Sequence, residues 1–296
     1  MPAPDSPAVG RVPALDISVI VPFADAARYI ARTIEALLAQ RYPRDRYEII
    51  LVDNNSGDGS AAIARRYPGV ALLSESRRGA YAARNRGLAA AAGAVIAFTD
   101  ADCAPAPAWL ETMAGVLGHP GVGLALGRMV SPPSASLALL SAYEHQRALY
   151  IFGGRVRELY YGYTNNMAVA RALFDSIGVF AEVDRGADVV FVRRACQALG
   201  PDAIRYVPEA VVEHLEMTGA RVWLRKMFVY GRSSRYYRAT PATRTLTGAE
   251  RLDLFRRTVR GEGCALAECA RLFALLAAGV ALHLLGRWSA TGPRGA

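Results

Sequence analysis

Short apolar runs alternate along this chain with stretches whose apolar residues recur every three or four positions. The first run, Ile17 to Val21, is rich in β-branched residues and is stopped by Pro22, which has no ladder donor, so it predicts a strand over 16–22. Ile30, Ile34, Leu37 and Leu38 then predict a helix within 28–41, ended by Tyr42-Pro43. A second strand over 47–53 closes on Asp53, and the turn residues 54–59 lead into a helix at 60–67. A short strand at 70–73, an Ala-rich helix at 79–92 and a fourth strand from Val95 to Phe98 complete a βαβ rhythm. That rhythm predicts an α/β fold built on a parallel, doubly wound sheet.

Further on, the pattern predicts a helix at 109–117, a strand at 122–130 and a Pro-containing loop at 131–136. A segment at 141–150 and a Tyr-rich stretch lead to Asn165-Asn166. A helix begins near Arg185, with Val189, Val192 and Cys196 as its buried stripe, and a late strand over 204–214 ends at His214. From 218 the character changes to a basic helix carrying Trp223, Met227 and Phe228, a charged helix at 249–260 and a mostly apolar one at 265–285. The longest apolar run there, 272–282, falls short of the roughly 18 to 20 residues a spanning helix needs. Residues 1–14 have neither a charged start nor an apolar core, so they read as a loose tail and not a signal peptide. The expected organisation is a tail at 1–15, a main domain at 16–220 and a helical extension at 221–296.

Composition narrows the classes. With 296 residues and 52% hydrophobic content, the chain can bury a sizeable core and is not a disordered one. A net charge of +9 implies an acidic partner, which leaves a nucleotide-linked substrate, an anionic membrane surface or nucleic acid. Cys103, Cys196, Cys264 and Cys269 form no CxxC pair and have no metal-ligand spacing, so they read as buried thiols in a reducing, cytoplasmic compartment.

The chemistry gathers at the end of the fourth strand. Asp100 and Asp102, one residue apart after an apolar run, can converge on one hard cation and leave positions for water and phosphate oxygens. The bland reading stands beside it: Asp100 forms an Asx-turn and Asp102 caps the helix near Ala108. After the first strand stands Pro22-Phe23-Ala24-Asp25 and not a Gly-rich pyrophosphate cradle, which argues against a hydride-transfer enzyme. The Arg and Tyr interleaving after 220 suits an anionic surface, but no compact nucleic-acid fold accompanies it, so nucleic acid is not the expected partner.

Five stretches in order resemble the family-2 glycosyltransferases: Ser18 to Phe23, Ile50 to Ser60, Arg78 to Gly87, Phe98 to Cys103 and Thr164 to Val169. The resemblance covers about 16–220. It implies the A-type glycosyltransferase fold, with a mostly parallel, Rossmann-like sheet followed here by the helical extension. It also implies metal-assisted, inverting transfer of a sugar from a nucleotide diphosphate, a UDP-sugar foremost, to a glycan or lipid-linked acceptor. By the same resemblance Pro22, Phe23, Asp25, Asp53, Asn55, Gly79, Arg84, Asn85, Asp100 and Ala101 lie along the nucleotide-sugar. Asp102 and His214 bind Mn²⁺ or Mg²⁺, and Asn165 and Asn166 face the acceptor. For Asp53 an Asx-turn is the alternative, and for His214 a core imidazole. Where the family has Tyr-Asn after its first proline, this chain has Ala24 and Asp25, and where it has Glu-Asp, Ala187 precedes Asp188. Inversion needs a base on the acceptor hydroxyl, and Asp188 is the expected one, with Asp184 in reserve and a helix-cap role as its bland reading. Placement on the inner face of the cell membrane, as a peripheral protein, fits the basic extension. A nucleotidyltransferase, which should carry a Lys-rich triphosphate loop where this chain has only Lys226, and a catalytically silent sugar-nucleotide or anionic-surface binding module are the alternatives.

Overall fold

Among the described residues eight strands form one sheet: β1 (Ile17–Phe23), β2 (Tyr47–Asp53), β3 (Ala71–Ser74), β4 (Val95–Thr99), β5 (Cys103–Pro105), β6 (Leu124–Val130), β7 (Asn166–Ala170) and β8 (Ile204–His214). Their order is β3-β2-β1-β4-β7-β6-β8-β5. The computed structural model describes residues 16–133, 135–238 and 244–289, so the predicted tail at 1–15 lies outside the described residues. The mostly parallel expectation holds in the β3-β2-β1-β4 half, where every pairing is parallel. In the other half β7 runs antiparallel to both β4 and β6, β8 is parallel to β6, and β5 is antiparallel to β8, so the sheet as a whole is mixed.

The continuous apolar runs arise because the first strands are covered on both faces. Ile20, Ile50, Val52, Ile96 and Phe98 point into one core cluster, and Val19, Val21, Ile49, Leu51 and Ala97 into the other. Helix α1 (Ile30–Leu38) buries Ile30, Thr33, Ile34 and Leu37 on the second face, together with Trp109, Leu110 and Met113 of α4 (Trp109–Leu117). Between them in sequence come the short α2 (Ser60–Ala64) and α3 (Ala80–Ala90). The register sets Phe23 beside Asp53 and Asp53 beside Ser74, which aligns the C-terminal ends of β1, β2 and β3.

Two elements depart from the pattern. Residues 135–148, expected as part loop, form α5 (Ala135–Ala148), which runs into a π-helical turn at Leu149–Gly153. The three-residue β5 had no signal at all, because it ends on Pro105, with Pro107 two residues on, and is too short to show alternation. Helices α6 (Arg171–Ile177) and α7 (Ala187–Leu199) cover the first face through Leu173, Phe174, Phe191 and Val192. The chain ends in α8 (Ala220–Arg238), α9 (Gly248–Glu262) and α10 (Leu266–Ser289). A third cluster, Leu137, Leu140, Trp223 and Leu272, joins α5, α8 and α10. Helix α10 has 24 residues, and its most apolar 18-residue window has a mean hydropathy of 1.8, enough to cross a membrane by length and composition, which corrects the expectation that this segment is too short. Leu282 does not end it, because His283 and Arg287 are carried within the same helix. All four cysteines are free thiols, but only Cys103 and Cys196 are buried; Cys264 and Cys269 are half-buried near the start of α10.

Candidate active site

Asp100 and Asp102 follow β4 at the edge where β1, β2 and β3 also end. Antiparallel pairing of β5 with β8 sets Cys103 opposite His214, and the Asp102 carbonyl accepts from the Leu215 N–H at 2.8 Å. This brings His214, 112 positions away in sequence, to 3.6 Å between its Nδ1 and Asp102 Oδ2. The ligand atoms of Asp102, Cys103 and His214 lie within 4.8 Å of one another. The residue capping α4 is Ala108, with no side-chain cap, so Asp102 is not spent on the helix end.

The donor set fits a divalent cation. Burial raises the Asp102 carboxyl above its ordinary range, against the attraction of His214 and Lys226, and burial lowers the His214 imidazole. The Asp102 shift marks negative charge that is costly here without a cation, the His214 shift keeps the imidazole neutral as a metal ligand must be, and His214 Nδ1 is buried with no hydrogen-bond partner. Carboxylate oxygen and neutral imidazole nitrogen suit Mn²⁺ or Mg²⁺. Cys103 is fully buried and its thiol is pushed well up, so it stays protonated and serves as a weak donor to Asp102, with Sγ at 3.6 Å from Oδ1. On the outer side of the imidazole, Lys226 of α8 places Nζ 2.9 Å from His214 Nε2 and 2.8 Å from Glu216 Oε2. In the sequence Lys226 stands out as the chain's single lysine, on a basic helix with Arg221 and Arg225; no local signal ties a residue on α8 to a strand end twelve positions earlier.

Behind Asp100 stands Arg84 of α3, buried and ion-paired to Asp100 Oδ1, with its guanidinium 5.3 Å from the Tyr81 ring centre and its Nε buried without a partner. The Tyr81 hydroxyl accepts from the backbone N–H of Gly186 at 3.2 Å and of Asp188 at 3.4 Å. Burial and the Asp188 charge keep that hydroxyl protonated. Asp188 stands in the first turn of α7, where Gly186 at φ 89° is the capping residue, and its own Oδ1 accepts from Val189 N–H at 2.9 Å. Burial raises the Asp188 carboxyl, with Tyr81 and Arg84 pulling the other way, so it is drawn toward the range where a carboxylate takes a proton. Asp184 is exposed three residues before α7.

At the end of β2, Asp53 Oδ1 accepts from Ser56 N–H at 3.0 Å, the Asx-turn that was its alternative reading. The residue that organises this corner is Asn54, passed over in the sequence. It is buried, donates to Glu75 O at 2.9 Å and Arg77 O at 2.7 Å, and accepts from Gly79 N–H at 2.8 Å. Gly79 has φ 127°, which a side chain would resist, so Asn54 and Gly79 together set the entry to α3. Exposed Asn55, also at positive φ, donates to Glu75 O at 3.2 Å and Ser76 O at 3.1 Å. Exposed Asp25 accepts from Gly57 N–H at 2.8 Å and so ties the two loops together. Asn85 is bonded both ways to the Phe180 backbone, at 2.9 and 3.2 Å, and holds that segment.

Several expected contacts are withdrawn from solvent. Pro22 and Phe23 are buried in β1, and Phe23 is 3% exposed; Ala101 is 5% exposed, with its carbonyl accepting from Thr33 at 2.8 Å. The side chains of Phe23 and Ala101 pack in the second core cluster, which leaves their backbone as the part that can meet a ligand. Asn166 is fully buried, donates to Arg128 O at 3.0 Å and Ala210 O at 2.9 Å, and accepts from Trp109 Nε1 at 2.8 Å. It cannot face an acceptor; it clasps the register break between β6 and β8 at Gly127 and Arg128. A Cβ at Gly127 would meet the Asn166 amide at 2.3 Å. Asn165 is half-buried, with its carbonyl accepting from Thr99 at 3.0 Å.

A mixed sheet whose strand ends gather two carboxylates and an imidazole, with an arginine from α3 behind them, suits a divalent cation beside a phosphate-bearing ligand. The sequence profile of Glycosyl transferase family 2 matches residues 18–194, and the chain belongs to that family. It is 30% identical over 204 residues to the glycosyltransferase AglE of Haloferax volcanii, covering 62% of each chain. The chain thus spans less than two thirds of that relative's length. Among solved structures it is similar to a mannosyltransferase of Pyrobaculum calidifontis in complex with GDP-Man and Mn²⁺, at TM-score 0.57 and 22% identity over 93% of this chain and 83% of that one. It is also similar to the glucosyl-3-phosphoglycerate synthase of Mycobacterium tuberculosis in complex with Mn²⁺, UDP-Glc and glycerol 3-phosphate, at TM-score 0.52 and 22% identity over 68% and 72%. Both likenesses show the A-type fold.

Proposed function

We propose that this protein is an inverting, metal-dependent glycosyltransferase that moves a sugar from a nucleoside diphosphate, a UDP-sugar foremost, to a glycan or lipid-linked acceptor at an anionic membrane surface. One observation carries the reading: pairing of β5 with β8 sets the unpartnered, buried Nδ1 of His214 beside Asp102 at the end of the central strand. Asp102 and His214 would hold a divalent cation, which supplies positive charge to the diphosphate as the glycosidic bond to it breaks. Arg84 fixes Asp100 at the sugar and ribose side. Asp188, with its raised carboxyl and its Tyr81 contact, takes the proton of the acceptor hydroxyl. Lys226 adds a second positive charge at the outer side of the metal ligands.

The test is a panel of sugar nucleotides that includes UDP-glucose and GDP-mannose, each with and without Mn²⁺ or Mg²⁺, read by melting temperature and by release of nucleoside diphosphate. The expected result is stabilisation that needs the cation, about 2.7 kcal/mol at 100 times the dissociation constant, with slow release of the diphosphate. Stabilisation without any turnover returns the chain to a binding module. Stabilisation by nucleoside triphosphate with pyrophosphate release makes it a nucleotidyltransferase.

A further inference from the structure

Helix α10 is apolar over its length, yet only 17% of its most apolar window is buried, so it is not the core helix of this fold. Its buried positions Leu272, Gly279 and Gly286 recur every seven residues and form one face. That face packs closely on α8: a Cβ on Gly279 would meet the Trp223 ring at 2.2 Å, one on Gly286 would meet the Phe228 carbonyl at 2.1 Å, and one on Gly231 the His283 carbonyl at 2.1 Å. On the opposite face, Leu266, Phe273, Val280, Leu284 and Trp288 recur at spacings of seven and four. They are 86%, 57%, 37%, 46% and 74% exposed. Only alanines stand between them on that face.

Charge names the occupant. Between Arg221 and Arg260 eleven basic residues face Glu250 and Asp253, an excess of nine, which is the whole net charge of the chain. The rest of the sequence balances to zero. Among the described residues, exposed Arg221, Arg225 and Arg232 on α8 and Arg256 and Arg260 on α9 have no ion-pair partner. We infer that the outward stripe of α10 docks in the plane of an anionic lipid bilayer, one helix face in the acyl boundary and the neighbouring arginines at the headgroups. Length and hydropathy alone would let α10 span. Its glycine-mediated contact with α8 decides against this, because spanning would carry the arginines of α8 into hydrocarbon or strip α10 from its partner. Since α8 also holds Lys226 against His214, docking places the candidate site at headgroup level, within reach of a lipid-carried acceptor. The inference goes beyond the catalytic reading, and its readout needs no donor binding, so either can fail alone.

The test uses the full chain with vesicles of phosphatidylglycerol in phosphatidylcholine and with phosphatidylcholine alone. The expected result is co-sedimentation with the anionic vesicles at low salt, release by high salt or alkaline carbonate, and at least about tenfold weaker binding for Leu284→Glu/Trp288→Glu. Should that double variant fail to fold, brominated lipids in the wild-type assay still report. They should quench the exposed Trp288, since Trp109 and Trp223 are buried, and Trp288→Phe should remove the quenched component. Resistance to carbonate extraction would mean spanning and overturn the in-plane placement. Absence of vesicle binding at every salt concentration would overturn the proposal, and a dimer that the double variant converts to monomer would overturn it by assigning the face to a second copy of the chain.

Discussion

Replacing Asn166 with leucine separates a structural clasp from an acceptor contact. The substitution keeps the volume of the side chain but removes every polar atom at a site with no exposure. Three groups lose their partner: Trp109 Nε1, bonded at 2.8 Å, and the carbonyls of Arg128 and Ala210, at 3.0 and 2.9 Å. A buried polar group left unpaired costs about 1–3 kcal/mol, and carbonyls at the low end of that range bring the total to about 4 kcal/mol. That is a large share of a stability of roughly 5–15 kcal/mol, and for a chain of this size it lowers the melting temperature by roughly 10 °C. The damage also lies where it matters for the site, because the break between β6 and β8 precedes the part of β8 that ends at His214. Urea unfolding followed by far-UV circular dichroism, with and without Mn²⁺, measures it. A loss under about 1 kcal/mol together with a collapse of turnover would refute the clasp and restore Asn166 to the acceptor side.

Asp102→Asn abolishes cation-dependent binding of the sugar nucleotide, yet the metal-free protein melts no lower than wild type, because burial already disfavours that carboxylate; calorimetric titration and melting curves check both. The same raised carboxyl makes metal affinity rise with pH as Asp102 loses its proton, so a wild-type affinity that falls on raising the pH through the acid range contradicts the assignment. Asp188→Asn leaves donor binding within a few-fold and lowers turnover by about 10² to 10⁴, and a variant with near-wild-type turnover moves the base to Asp184. Lys226→Met weakens binding of the nucleoside diphosphate when the cation is saturating; unchanged diphosphate affinity would confine Lys226 to its contacts with His214 and Glu216.

Local patterning was sufficient for the strands that are buried on both faces, because a run such as Ile17 to Val21 needs no partner information to declare itself. It also placed the late strand at 204–214 and the helix at 109–117 within their observed bounds, and it set both acids at the end of β4. Motif resemblance added His214 and Asp188 as candidates, on residue type alone. What it could not tell was which polar residues look outward. Asn165 and Asn166 are adjacent and alike in the sequence, yet Asn165 stands just before β7 and is half-buried, whereas Asn166 opens β7, a strand buried almost throughout, and closes the break where β6 and β8 lose register. Asn54, Lys226 and the three-residue β5 were invisible for the same reason: each acts through a partner distant in sequence or on another element. The last helix shows the division most plainly. Its apolar composition is a property of the sequence, but whether it crosses a membrane, fills a core or lies on a surface follows from the two glycines that pin one face to α8 and from the exposed residues left on the other.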